Sequence, residues 1–113
     1  MPVNVNQEVH ISDYIKGTPK ISDFKIIKTS IPDIKQNQIM VKNLWMSVDP
    51  YMRGRITDRK SYIAPFELNS VLQGSAVGIV KSSKNPNYLE GDIVYSFNGW
   101  REYFIAEKMI FKK

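Results

Sequence analysis

The chain has 113 residues, 42% of them hydrophobic, which is enough for one hydrophobic core and predicts a single domain over residues 1–113. It carries a net charge of +5 and contains no cysteine, so disulfides, a thiolate nucleophile and cysteine-ligated zinc are excluded. No segment approaches the ~18 apolar residues that span a bilayer, and the polar start is unlike a secretory leader, so a cytoplasmic protein is expected.

The positive charge does not by itself indicate a nucleic-acid partner. Lysines and arginines are spread along the chain, and they cluster only at Arg53, Arg55, Arg59 and Lys60. A solvated basic face or an anionic small-molecule ligand accounts for this pattern better than binding to a phosphate backbone does. We therefore expect no nucleic-acid partner and no membrane partner.

Short apolar segments separated by turn residues predict a mainly β chain. One short helical piece is expected from Asp49-Pro50 to Gly54, because aspartate caps free amides and proline suits the first helical position. Asn98-Gly99 lies between two apolar runs and predicts a tight hairpin. Six short strands with one or two helical turns predict a small, partly open β-barrel. The strands are predicted at residues 7–14, 23–30, 38–47, 71–81, 92–97 and 100–106.

A phosphate-binding loop requires clustered glycines between a strand and a helix, and the sequence has none. Gly74 and Gly78 are interpreted as bend or packing glycines, because a strand is predicted to continue beyond them. The lone His10 is interpreted as a surface histidine or a hydrogen-bonded one.

Two segments have the composition of a site edge. Residues 44–55 leave an apolar strand, turn at Asp49-Pro50 and present Tyr51 with two arginines. Residues 61–66 place Tyr62 among apolar residues, in a loop too hydrophobic to be only solvated. Asp49 is interpreted as a cap of the turn rather than as a general base.

At these residues the chain resembles the N-terminal, GroES-like domain of zinc-independent medium-chain dehydrogenases/reductases. The resemblance is to the branch of prostaglandin reductases, plant double-bond reductases and bacterial NADPH-dependent curcumin reductases. The matching features run through nearly the whole chain in the right order, at residues 41–55, 58–62, 74–80, 90–92 and 98–103.

The resemblance implies an NADPH-dependent oxidoreductase that reduces the C=C bond of α,β-unsaturated ketones and aldehydes. In such an enzyme a GroES-like barrel packs on a Rossmann domain that binds NADPH, and the substrate lies in the cleft between them. The Rossmann domain is absent from this chain, so the chain alone is expected to be inactive. A homodimer is compatible with the full-length enzyme.

The resemblance also implies the site residues. Tyr51, and second Tyr62, are the candidate catalytic residues, as phenol donors to the oxygen that becomes an enolate. The backbone around Pro50 and Met52 is expected to line the nicotinamide side of the cleft. No metal ligand is expected, because Met46-Ser47-Val48-Asp49 and Gln73-Gly74-Ser75 stand where zinc-dependent relatives carry a cysteine and a histidine.

Other interpretations of the same residues stay open. Buried tyrosines commonly pack their rings and bond their hydroxyls to backbone. Trp45, Met46, Trp100 and Phe104 are interpreted as core or interdomain packing residues, and an exposed apolar face including some of Tyr51, Tyr62, Ile63 and Phe66 is expected where a partner domain would lie. The alternatives to the reductase are a stand-alone binding or assembly module for an anionic partner, or a truncated gene remnant.

Overall fold

A computed structural model describes residues 5–49, 52, 55–56, 66–107 and 111–112 of the chain. Within these residues Met52 and Arg55 are helical, and a 3-10 turn forms at Ile21–Asp23. The strands are β1 (Val5–His10), β2 (Lys25–Ser30), β3 (Ile39–Met46), β4 (Ala76–Ser83), β5 (Ile93–Ser96), β6 (Tyr103–Ala106) and β7 (Phe111–Lys112).

The strands form two antiparallel sheets. Strands β1 and β2 pair with each other, and the larger sheet has the order β6-β3-β4-β5-β7. Isolated bridges tie the first sheet and the loops to the second, through Glu8 with Arg101, His10 with Val71, and Gly74 with Asn98. The predicted mainly β architecture is confirmed.

The predicted hairpin at Asn98-Gly99 is wrong. Strand β5 pairs with β4, whereas β6 pairs with β3, so the two strands that flank these residues are not neighbours. The Gly99 amide donates to the carbonyl oxygen of Gly74 at 2.9 Å, and the left-handed residue of the turn is Trp100, with a φ of 59°. Tertiary pairing with the Gly74 segment therefore replaces the local turn that the dipeptide favours.

Two groups of buried side chains hold the structure together. One lies beside the chain segment that leaves β3, and the other lies on the inner face of the five-stranded sheet, where alternate strand residues point inward. The first comprises Ile11, Ile15, Met52, Ile56, Phe66 and Leu72. The second comprises Ile39, Val41, Val80, Val94 and Phe104.

The interpretations of Gly78 and His10 are confirmed. A β-carbon at Gly78 would lie 2.5 Å from Cγ1 of Val41. This position is therefore a packing glycine, because the neighbouring strand β3 leaves no room for a side chain. The His10 Nε2 atom lies 3.0 Å from Oε1 of Glu8, which makes His10 a hydrogen-bonded histidine. No helix in the described part of the chain is long and apolar enough to cross a membrane.

Candidate functional site

An open apolar groove lies where β3 ends, β4 begins and β5 ends. Its volume is about 460 Å³, which falls in the range of small-molecule sites. None of its lining residues is charged, and we call it the aromatic groove. It is lined by Trp45, Met46, Ser47, Ser75, Ala76, Val77, Tyr95, Ser96 and Phe97.

Strand register explains the walls of the aromatic groove. Trp45 pairs with Val77, and Val77 pairs with Tyr95, so the three side chains share one face of the sheet. Trp45 and Tyr95 stand two strand spacings apart, roughly 10 Å, with Val77 between them. Trp45 is 76% exposed and Phe97 68%. The groove therefore presents aromatic side chains to solvent.

A β-bulge contributes to this exposure. The register between β3 and β4 shifts between Asn43 and Trp45, and Leu44, Trp45 and Met46 are all exposed although they are consecutive. A bulge bends its strand and re-aims the side chains beside it. In the first half of β3, buried and less buried residues alternate, whereas Leu44, Trp45 and Met46 are exposed one after another.

The sequence analysis missed Tyr95 and Phe97 as members of this surface. Their signal was the period-two pattern of 94–97, because buried Val94 and Ser96 leave the two aromatic residues on the opposite face. The sequence analysis interpreted Trp45 as a core or an interdomain packing residue. Its exposure excludes the core, so a role in interdomain packing stays a prediction.

The chain turns sharply as it leaves the groove. Ser47 donates its amide to the carbonyl oxygen of Ser75 at 2.8 Å and its hydroxyl to Oδ1 of Asp49 at 2.7 Å. The carbonyl oxygen of Asp49 accepts from the Met52 amide at 3.0 Å, and that of Met52 accepts from the Ile56 amide at 3.0 Å. We call the segment that these bonds cross the site turn; Asp49, Met52, Arg55 and Ile56 are its described residues.

Met52 is the one described member of the predicted site set. Its side chain is buried, with the sulfur atom 3.5 Å from the Asp49 amide nitrogen. The sequence analysis expected the backbone of this segment, not the Met52 side chain, to line the nicotinamide side of the cleft. The burial of the Met52 side chain does not test that expectation, which stays a prediction. Pro50, Tyr51 and Tyr62 lie outside the described residues, so their roles also stay predictions.

Phe66 does not belong to an exposed apolar face. Its side chain is only 3% exposed, and the guanidinium carbon of Arg55 lies 4.1 Å from the centre of its ring. The ring therefore lies in the first group of buried side chains and makes a cation–π contact with Arg55. Ile63, which was named with it, lies outside the described residues.

A second, polar cleft of about 250 Å³ borders β1 and includes Glu8 and Arg101. Arg101 donates to the carbonyl oxygens of Gly99 at 3.0 Å and Leu72 at 3.2 Å. Burial lowers the pKa of Arg101, and the nearby Glu8 carboxylate partly offsets that effect. Because the Glu8 carboxylate lines the same cleft, an anion that entered it would meet a negative charge beside the Arg101 guanidinium.

Among the residues that the structure describes, no three His, Cys, Asp or Glu side chains come together as metal ligands. Gly74 is the middle residue of Gln73-Gly74-Ser75, one of the two stretches where the resemblance implies that zinc-dependent relatives carry a ligand. A β-carbon there would lie 2.6 Å from Cε of Met52 and 3.3 Å from Nε1 of Trp100. Those two side chains therefore lie in the space that a side chain at position 74 would enter.

Comparison with known proteins identifies relatives that match most of the chain. Residues 7–113 match the family described as the N-terminal domain of oxidoreductase. The NADP(+)-dependent 2-alkenal reductase of Nicotiana tabacum is 39% identical over 105 residues, covering 88% of this chain and 30% of the relative. The NADPH-dependent curcumin reductase of Escherichia coli is 33% identical over 90 residues, covering 80% of this chain and 26% of the relative.

Solved structures give the same result. The crystal structure of CurA from Vibrio vulnificus superimposes with a TM-score of 0.89 at 29% identity, covering 96% of this chain and 32% of CurA. The structure of CurA in complex with NADPH superimposes with a TM-score of 0.87 at 29% identity, covering 95% of this chain and 32% of CurA. The predicted GroES-like fold class is confirmed by this likeness. The chain spans about a third of the length of these relatives.

Proposed function

The chain belongs to the family of oxidoreductase N-terminal domains, and on that premise we propose that it is the substrate-side domain of an NADPH-dependent enone and enal reductase. The reaction is reduction of the C=C bond of an α,β-unsaturated ketone or aldehyde. Support comes from the relatives that reduce 2-alkenals and curcumin and from the NADPH complex of CurA.

The observation that carries the proposal is the aromatic groove beside the site turn. A large exposed apolar surface on a small protein marks a surface that another molecule covers. Here the groove shares Ser47 with the hydrogen-bonded entry to the site turn. The part of the enzyme that completes the cleft would therefore cover the groove and face the site turn at the same time.

NADPH, when bound, supplies the hydride for the β-carbon. The described residues fit a wall for the nicotinamide or the substrate, since the groove is apolar and uncharged, and they offer no glycine-rich loop for the phosphates. In our proposal the backbone of Pro50 and Met52 lines the nicotinamide side, and a second, Rossmann-type domain binds most of the cofactor. The 113 residues alone are then inactive, because nothing holds cofactor and substrate together.

Tyr51 and Tyr62 have the proposed role of hydrogen-bond donors. As the C=C bond is reduced, negative charge develops on the carbonyl oxygen of the substrate. A neutral phenol aimed at that oxygen stabilises the charge, and loss of one such donor typically lowers kcat by about 10²–10³-fold. We assign the first role to Tyr51 and a second, smaller one to Tyr62.

The proposed reaction uses no metal. This rests on the chemistry of the residues present: a glycine stands at position 74, and the Met52 and Trp100 side chains occupy the adjoining space. A thioether and an indole are poor ligands for catalytic zinc. In the other stretch where the resemblance implies a ligand in zinc-dependent relatives, just after β3, the Ser47 hydroxyl donates to Oδ1 of Asp49.

The decisive experiment is to determine the mass of the native polypeptide in its source cells and then assay it. An immunoblot species about three times heavier than the 13.1 kDa chain, active in NADPH oxidation with an α,β-unsaturated aldehyde, is the expected result. In that polypeptide Tyr51→Phe should lower kcat about 10²-fold. Tyr88→Phe, a tyrosine that packs on the inner face of the five-stranded sheet, is the matched control and should leave kcat unchanged.

The opposite results would point elsewhere. A native species at the mass of the chain itself would contradict the domain assignment. Binding of a polyanion that weakens steeply with salt would favour a stand-alone module, but the groove is uncharged and the polar cleft contains the Glu8 carboxylate. Neither the aromatic groove nor the polar cleft favours that alternative.

A further inference from the structure

A second hollow lies between the two sheets, with a volume of about 230 Å³. The surface that lines it is mostly apolar, and its polar neighbours, which include Glu8 and Arg101, contribute little polar surface to it. We call it the inter-sheet hollow. Its apolar side chains come from both sheets and from the turn that joins β5 to β6, and they are Val9, Ile26, Met46 and Trp100.

The inter-sheet hollow adjoins the aromatic groove. Met46 lines both of them and is 44% exposed, while Ile26 is 67% exposed. One exposed apolar side chain needs no explanation, whereas a contiguous apolar surface marks a contact with another molecule or domain. With Trp45 and Phe97 in the groove, the exposed apolar surface therefore extends over both sheets.

Hydrogen bonds fix the first sheet beside this surface. The Val9 amide donates to the carbonyl oxygen of Trp100 at 2.8 Å, and the Glu102 amide donates to that of Gln7 at 3.0 Å. Ile26 pairs with Val9, so the two side chains share one face of the sheet. Val9 packs on the first group of buried side chains, whereas Ile26, one strand further out, is left exposed. The position of Ile26 is thus set by the fold of the domain.

The five-stranded sheet is apolar on both faces at its groove end. Val94 belongs to the inner group, and Tyr95, the next residue, lines the groove on the other face. Apolar side chains on both faces are typical of a sheet enclosed between two layers. A small ligand is enclosed by one concave pocket, so a nicotinamide or substrate in contact with the groove leaves the inter-sheet hollow uncovered. A layer of polypeptide covers both.

The last described strand, β7, borders the same surface. Phe111 in β7 pairs with Tyr95 in β5, and opposed residues of neighbouring antiparallel strands have Cα atoms roughly 4.5–5.5 Å apart. In the full-length reductase that we propose, the polypeptide after Lys113 therefore begins beside the strand that supplies Tyr95 to the groove. A segment tethered by so short a connection has an effective concentration in the millimolar range, which a free partner would have to exceed.

We propose that the aromatic groove and the inter-sheet hollow are two parts of one interface, and that the polypeptide which follows Lys113 in the full-length reductase covers both. The interface then includes the β1–β2 sheet, through Ile26. The covering segment is apolar where it meets the groove, because no lining residue of the groove carries a charge that could pair with a buried one. The inference rests on the proposed function for the existence of that polypeptide, and it does not depend on the reaction.

The test is hydroxyl-radical footprinting, measured residue by residue by mass spectrometry, on the 113-residue chain and on the full-length protein without cofactor or substrate. Ile26, Met46 and Trp45 are exposed in the 113-residue chain and should be oxidised there. In the full-length protein most of that oxidation should be lost. Ile21 is exposed as well but lines neither hollow, so it is the matched control for Ile26 and should be oxidised in both proteins.

Other occupants of the surface give other patterns. Protection of Ile26 that disappears on dilution would assign the surface to a second copy of the protein. Protection of Ile26 that requires NADPH or an α,β-unsaturated aldehyde would assign it to a ligand. Protection of Trp45 without protection of Ile26 would restrict the interface to the groove. Each of these three results would overturn the proposal.

An enal-reduction assay of the same full-length protein separates the interface from the proposed function. Loss of oxidation at Ile26 and Trp45 in a protein that reduces no enal would support the interface and contradict the reaction. An active reductase in which both residues are oxidised as in the 113-residue chain would support the reaction and overturn the interface.

Discussion

The two ends of the five-stranded sheet share the same strands but differ in whether their large apolar side chains are buried or exposed. At one end Ile39, Val41 and Phe104 bury their side chains in a closed cluster. At the other, Trp45 and Phe97 extend into solvent around the aromatic groove. Asn43 lies at the point where β3 changes from one behaviour to the other. Large apolar side chains therefore indicate stability at the first end and an interaction surface at the second.

The largest effect is expected at the closed end. Phe104→Ala should lower the free energy of unfolding by about 3–5 kcal/mol, because the substitution removes a buried ring and leaves a cavity. Urea denaturation followed by circular dichroism measures this change. A loss below about 1 kcal/mol, the range of surface substitutions, would show that the inner cluster does not carry the stability of the sheet.

A smaller effect is expected where the two ends meet. Asn43→Ala should lower the free energy of unfolding by about 2 kcal/mol, since two carbonyl oxygens, of Asn98 and Arg101, lose their donor. Asn43→Asp keeps the shape and removes the same donor, so it should be at least as destabilising. Lys42→Ala, at the neighbouring position, is the control and should change stability by less than about 0.5 kcal/mol. Equal effects at positions 42 and 43 would contradict this role of Asn43.

The closed end could be predicted from the sequence, and the groove end only in part. Apolar alternation locates strands β3 to β6 because it is a local signal of which residues face inward. The bulge between Asn43 and Trp45 and the pairing of Gly74 with Asn98 depend on residues far apart in the chain. The Asn98-Gly99 hairpin is wrong for this reason: its local preference is overridden by contacts with another segment.

The candidate site shows the same division. The site turn is visible in the sequence through Asp49-Pro50, and the family resemblance draws attention to Tyr51. The approach of Met52 and Trp100 to Gly74 is not visible there, because residues 52, 74 and 100 meet only in the folded chain. Sequence patterns thus point to a candidate residue more readily than to contacts between residues that are far apart in the chain.

At the rim of the groove a still smaller effect is expected. Ser47→Ala removes the hydroxyl that donates to Oδ1 of Asp49 and should lower the free energy of unfolding by about 1 kcal/mol. Ser47→Thr keeps the hydroxyl and serves as the control in the same denaturation experiment. A threonine variant as unstable as the alanine variant would assign the loss to crowding at this position rather than to the hydrogen bond.

The smallest effect on stability is expected in the groove itself. Trp45→Ser and Phe97→Ser should each change the free energy of unfolding of the 113-residue chain by less than about 0.5 kcal/mol, because side chains so exposed lose little burial. Both should reduce binding of a fluorescent apolar dye, whereas Leu89→Ser, an exposed leucine that does not line the groove, should not.

In the full-length reductase that we propose, the same groove variants are expected to have larger effects than in the 113-residue chain. If a second domain covers the groove, removal of Trp45 or Phe97 exposes part of an interface and should lower both thermal stability and enal reduction, while Leu89→Ser leaves them unchanged. Unchanged stability and activity in all three variants would mean that no second domain covers the groove. Reduced stability and activity in the Trp45 and Phe97 variants alone would mean that the exposed side chains of the groove end stabilise an interface. The buried side chains of the closed end, in contrast, stabilise the 113-residue chain itself.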